Sequence, residues 1–182
     1  MVKVLSSHMR GADRVLLRRY ANWVLHKFVR QSLLRNASIT IKVITAEELT
    51  DRSDYSDFKD AKAWMVYEGL GADGKKKFTV IMNAARQGKK SIIPWIRIKM
   101  LMLNVGHEMI HIKQYLNNEL FDYVDGKARF KGQVFHSGHS DDLEKYFDSP
   151  WEIEAYGREY GLYKVFTKKL KEEMKEKAKR ES

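Results

Sequence analysis

The strongest constraint on this chain is an apolar stretch from Ile92 to Leu116 that carries His107-Glu108-Met109-Ile110-His111 towards its end. Ile92, Trp95, Ile98, Leu101, Met102 and Val105 recur so densely that a helix here is apolar almost all round and has to be covered on several sides. Such a helix belongs in the middle of a domain. Lys113, Gln114, Asn117 and Asn118 predict where it emerges into solvent. Two histidines four residues apart project from one helical face roughly 40° apart and can pinch a single ion. Two neutral imidazoles on a metal, with a carboxylate such as Glu108 beside it to take a proton from water, form the geometry of a hydrolytic zinc site. The bland alternative is a pair of core histidines satisfied by backbone acceptors.

Composition narrows the chemistry. The chain has no cysteine, which removes disulfides and thiolate ligands and leaves His, Asp and Glu to hold any metal. Its 182 residues suit one domain, 1–182, with 164–182 a charged helical tail. Arg97 and Lys99 interrupt the most hydrophobic stretch and mean hydropathy is −0.53, so no membrane span is expected. No apolar segment of signal-peptide length opens the chain, which points to a cytoplasmic protein. A net charge of +10 permits attraction to nucleic acid, but the basic residues are dispersed, and those from Lys168 to Arg180 alternate with Glu172, Glu173 and Glu176 as on a solvated helix.

Along the chain, Leu16, Leu17, Tyr20, Trp23, Val24 and Phe28 step by threes and fours and predict an amphipathic helix from Asp13 to Leu34, with Asn36 as its stop. Alternation of Ile39, Ile41 and Val43 predicts a strand over 38–44. Asp51, Asp54, Asp57 and Asp60 suggest a calcium loop by their spacing, but the required glycine and closing glutamate are missing. Residues 63–69 and 77–83 predict a hairpin about Gly71-Ala72-Asp73-Gly74, and 121–135 a second hairpin turning at Asp125-Gly126. A last helix starts near Pro150 with Ser149 as its cap.

A catalytic zinc takes three protein ligands and leaves a position for water. The third has to come from a second element. Ser149-Pro150-Trp151-Glu152-Ile153-Glu154-Ala155-Tyr156 puts two carboxylates at the front of a helix, where Glu152, in the first turn, also suits simple interaction with the helix dipole. His136 and His139, in a Gly/Ser/Asp-rich stretch, compete for the same position. Tyr146 and Tyr156 could donate to an oxyanion or simply pack.

HEMIH followed some forty residues later by an E-x-E-A helix start resembles the zincin metallopeptidases, in particular small gluzincin-like ones. Together with Tyr146, the Pro-Trp-Glu-Ile-Glu-Ala run is similar to small uncharacterised metallopeptidase-like proteins of phages and bacteria. The resemblance covers about Phe78 to Tyr160. It implies an α+β, zincin-like fold in which a small twisted sheet packs on the central helix between N- and C-terminal helices. It also implies His107, His111 and Glu154 as Zn2+ ligands, with Glu108 as general base.

The function expected from this reading is zinc-dependent hydrolysis of a peptide or protein substrate, with the strand Phe78 to Asn83 as an edge on which an extended peptide pairs. Two other classes compete with it: a DNA-associated SprT-like zincin or basic nucleic-acid-binding module with a structural metal, and a non-catalytic zincin-fold interaction protein. Neither the oligomeric state nor the substrate is legible in the sequence.

Overall fold

The computed structural model describes residues 2–6, 9–44, 61–83, 94–136 and 142–181, with the backbone alone at 94–96. The aspartates from Asp51 to Asp60, Ser91 and His139 lie outside the described residues. The architecture is α+β. A four-stranded mixed sheet has the order β1-β2-β4-β3, formed by β1 (Val2–Leu5), β2 (Ala37–Ile44), β4 (Lys76–Asn83) and β3 (Ala63–Leu70). β1, β2 and β4 run parallel, and β3 is antiparallel to β4. The chain passes from β1 to β2 through α1 (Gly11–Phe28) and α2 (Gln31–Arg35), the length of crossover that a parallel pair requires. β3 and β4 form the expected hairpin, and Gly74, at φ 72°, supplies the left-handed residue of its turn.

Alternate residues of β2 (Ala37, Ile39, Ile41, Val43) are buried and face the helices. β4 is buried on both faces: Phe78, Val80 and Met82 join the main core, while Ile81 packs with Trp64 on the other side. That burial follows from its place inside the sheet. The expected peptide-binding edge at Phe78 to Asn83 is therefore corrected, because those residues pair with β2 and β3, and the free edge beyond β4 belongs to β3.

The long helix α3 (Pro94–Leu116) lies across the core, with Leu101, Met102, Val105, Met109, Ile110 and Ile112 almost inaccessible. α1 packs against it through Leu17, Tyr20, Ala21 and Val24, and α5 (Pro150–Glu181) through Ala155, Leu162 and Phe166. Phe166 meets Tyr20 and Trp23 at ring separations of 5.0 and 5.4 Å. A second sheet, β5 (Leu120–Asp122), β6 (Lys127–Phe130) and β7 (Gln133–His136), covers Trp151 with Leu120, Ala128 and Phe130 and so anchors the front of α5. The short α4 (Leu143–Phe147) leads into that front.

Two sequence expectations are revised here. The single helix over 13–34 is broken, because Val29 takes an extended conformation and turns its side chain into the core, 5% exposed. The second hairpin is a three-stranded meander: after Asp125-Gly126 the chain turns again at Lys131-Gly132, both with positive φ, a two-residue turn that suits the strand twist. Ser149 stands at the front of α5 with its carbonyl accepting from Glu152 N and Ile153 N, while its hydroxyl donates back to the Lys145 carbonyl.

One contact in this packing is unusually close. A Cβ built at Gly106 meets the Tyr20 hydroxyl at 2.6 Å, and that hydroxyl is buried with no hydrogen-bond partner among the described residues. Helix α1 can reach α3 here because residue 106 has no side chain. Gly106→Ala should lower stability by about 1–3 kcal/mol despite the gain in helix propensity, through overpacking. Tyr20→Phe in the same chain should recover most of the loss, and urea unfolding of both variants checks the pair.

Candidate metal centre

α3 is helical through the motif, so His107 and His111 sit one turn apart, 7% and 8% exposed, and their Nε2 atoms are 3.0 Å from one another. Facing them is the first turn of α5. Glu152, 4% exposed, sets Oε2 3.2 Å from His107 Nε2 and Oε1 3.3 Å from His111 Nε2. These three side chains form the one group of His, Asp and Glu among the described residues whose ligand atoms converge closely enough to hold a metal ion. Each imidazole nitrogen faces a different oxygen of the Glu152 carboxylate, and with one ligand atom taken from each residue the three lie within 4.8 Å of one another, close enough to share one ion.

Each imidazole is oriented from behind. His111 Nδ1 lies 3.0 Å from Gln114 Oε1, and His107 Nδ1 lies 3.2 Å from Glu159 Oε2, close enough for the charge to act though off the line of a hydrogen bond. With the His111 Nδ1 proton directed at Gln114 and that of His107 drawn to the Glu159 charge, both Nε2 lone pairs and the Glu152 carboxylate point at one spot in a buried region. Such an arrangement repels itself unless positive charge lies between the three.

The electrostatics of the group point the same way. Burial opposes a charge on His107, but the Glu152 and Glu159 carboxylates outweigh it and push its pKa up to about 10. His111 also moves upward, its burial outweighed by Glu152. Burial would raise Glu152, yet His107 and His111 hold it down to about 2. A site that holds protons firmly at the imidazoles while keeping its carboxylate ionised suits a divalent cation, and the His2Glu donor set admits several. Glu108, 5% exposed, is driven above the ordinary carboxylate range by burial, against the pull of His111 and His107. That direction is the one a proton acceptor near neutral pH requires.

Two tyrosines close the rim. The Tyr156 ring packs edge-on against His107 at 4.4 Å, and the Tyr146 hydroxyl of α4 resists ionisation mainly through burial, with the charge of Glu152 adding to it. His136, in contrast, ends the exposed strand β7, outside the converging group.

Glu154, expected as the third ligand, is the correction of consequence. Consecutive helical residues turn by about 100°, so residue 154 projects about 200° away from 152. Its carboxylate lies 2.9 Å from Lys113 Nζ, accepts from Gln114 Nε2 at 3.2 Å and pairs with Arg158 at 3.1 Å. Lys113 and Gln114, expected at the solvent end of α3, are instead buried, because Glu154 and Glu119 neutralise the ammonium and the Trp151 carbonyl takes an amide proton. The signal that separates the two glutamates is the stepping Glu152, Ala155, Glu159, Leu162, Phe166, in threes and fours, which marks the inner face of α5 and leaves Glu154 off it. Glu159 and Gln114, which stand behind the imidazoles, are the neighbours of the cluster not foreseen from sequence.

No protein-family model matches the chain, and no curated protein matches it. No described helix is long and apolar enough to cross a membrane.

Two outcomes follow from this assignment. Glu152→Ala should abolish one-per-chain metal binding, while Glu154→Ala should still load one ion, as read by metal content after dialysis. Glu154 is held down to about 2, with Lys113 and Gln114 outweighing the burial that opposes ionisation. A depressed carboxylate stabilises the fold above its unfolded pKa near 4.5 and loses that contribution as the pH falls towards 2. The urea midpoints of wild type and Glu154→Gln should therefore differ at pH 6 and converge between pH 4.5 and 2.

Proposed function

We propose that this protein is a zinc-dependent metallopeptidase of zincin type, with His107, His111 and Glu152 as ligands and Glu108 as general base. The observation that carries the reading is the convergence of two Nε2 lone pairs and one carboxylate on a single buried point, beside a second buried carboxylate one residue along the same helix. A zinc ion at that point supplies Lewis-acid polarisation of a peptide carbonyl and brings the pKa of water towards neutrality.

The chain's own residues do the remaining work. Glu108, already displaced towards neutrality, takes the proton from the attacking water and later gives it to the leaving amine. The Tyr146 hydroxyl, whose ionisation the charges of Glu152 and Glu108 oppose, is the rim group suited to donate to an oxygen that develops charge beside the ligands. His107 and His111 keep their Nε2 atoms turned inward through Glu159 and Gln114. The exposed edge of β3 offers backbone groups for an extended substrate. The DNA-associated alternative draws on the net charge of +10, which favours association with polyanions without assigning work to the buried site.

Glu108→Gln keeps the size of the side chain and removes the base. It should bind metal as wild type does and cut turnover of a broad fluorogenic peptide library by about 100-fold or more. Hydrolysis retained at the wild-type rate in that variant would sink the assignment. If the metal-loaded wild type cleaves no peptide at all, the non-catalytic reading takes its place.

A further inference from the structure

Gln114 is fully buried, and both ends of its amide are engaged. Its Nε2 donates to the Trp151 carbonyl at 3.0 Å and to Glu154 Oε2 at 3.2 Å. Both partners are pure acceptors, so the opposite amide orientation would set Oε1 against two oxygens and is excluded by its own chemistry. With Nε2 fixed, Oε1 faces His111 Nδ1 at 3.0 Å and can only accept. The Nδ1 atom therefore carries the proton, and the Nε2 lone pair is the one turned towards His107 and Glu152.

We propose that Gln114 is a positioning residue for the metal centre, with its amide set by Glu154 and the Trp151 carbonyl so that His111 is held in the tautomer that offers Nε2 to a divalent cation. The proposal rests on the metal-site reading above. It gives Glu154 a role two steps behind the ion, acting through Gln114 alone. The relay also joins the two halves of the site, since Trp151 and Glu154 flank Glu152 and Gln114 follows His111 by three residues. The approach of α5 to α3 that delivers the Glu152 carboxylate thus also sets the imidazole it meets.

A buried amide that merely ties two helices would affect stability and leave the metal alone, and the test separates the two roles. Cobalt and zinc affinities are measured by chelator competition at 20 °C, where all variants are folded by circular dichroism, for wild type, Gln114→Met, Glu154→Ala and the double variant. Gln114→Met, similar in volume but unable to accept, should weaken binding by about 10- to 100-fold, the usual cost of losing the partner behind a ligating histidine. Glu154→Ala should weaken it by a smaller factor, and should add nothing in the Gln114→Met background.

Proton NMR of the cobalt-loaded protein gives an independent signature. Wild type should show two shifted, solvent-exchangeable imidazole N–H resonances. Gln114→Met should lose or broaden the one from His111 and keep that of His107. Affinities within twofold of wild type, or an unchanged His111 resonance, would overturn the relay while leaving the metal site intact. Additive losses in the double variant would overturn the role given to Glu154. A wild-type protein that takes up neither metal would overturn the metal site, and the relay with it.

Discussion

Everything at the centre of this molecule depends on the mutual repulsion of three electron-rich atoms held close together where water cannot screen them. His107 and His111 Nε2 stand 3.0 Å apart with the Glu152 carboxylate 3.2–3.3 Å away. Left without positive charge, that arrangement would push α3 and α5 apart. Protons relieve it in part, as the upward shifts of both histidines and the depressed carboxylate of Glu152 record. The fold holds the three atoms against that force through apolar contacts on either side, Ala155, Leu162 and Phe166 along α5 and Trp151 under the small sheet.

The charges around the centre are sorted by helical face. One face of α5 carries Glu152 and Glu159 to the imidazoles, and the other carries Glu154 to Lys113. Lys113 is buried with two carboxylates close to it, so its ammonium is neutralised locally and does not reach the site as a bare charge. Separate partners for Lys113 and for the histidines let a cation of the protein and a cation site lie within a turn of each other on α3.

The central helix and the pinch of two histidines were legible because both are short-range consequences of the 3.6-residue repeat, visible in HEMIH and its apolar surroundings. The sheet was legible in its strands, since β2 alternates and the β3–β4 turn carries its glycines. Strand order was not, because pairing across distant segments leaves no local mark: the run Phe78 to Asn83 is apolar on both faces, which fits an interior strand, and only its neighbours show that it is one. The choice between Glu152 and Glu154 turned on the rotation of α5 about its own axis. Glu152 looked like an ordinary first-turn acid, and the spacing to Glu159, Leu162 and Phe166 that fixes the rotation extends beyond the motif. Lys131-Gly132 escaped notice because lysine is an uncommon occupant of a left-handed turn position.

The whole centre is written in two stretches of eight residues, His107–Gln114 and Glu152–Glu159, each about two turns long and each on one helix. The proposed ligands and base and the side chains behind the imidazoles lie within them, and the Trp151 carbonyl that meets Gln114 comes one residue before the second. The chemistry is therefore modular: the segments that join the helices to the sheets can lengthen, shorten or change sequence without touching a ligand, provided the two helices keep their crossing. Were the proposed activity present, selectivity and reactivity would in this way fall to different parts of the chain.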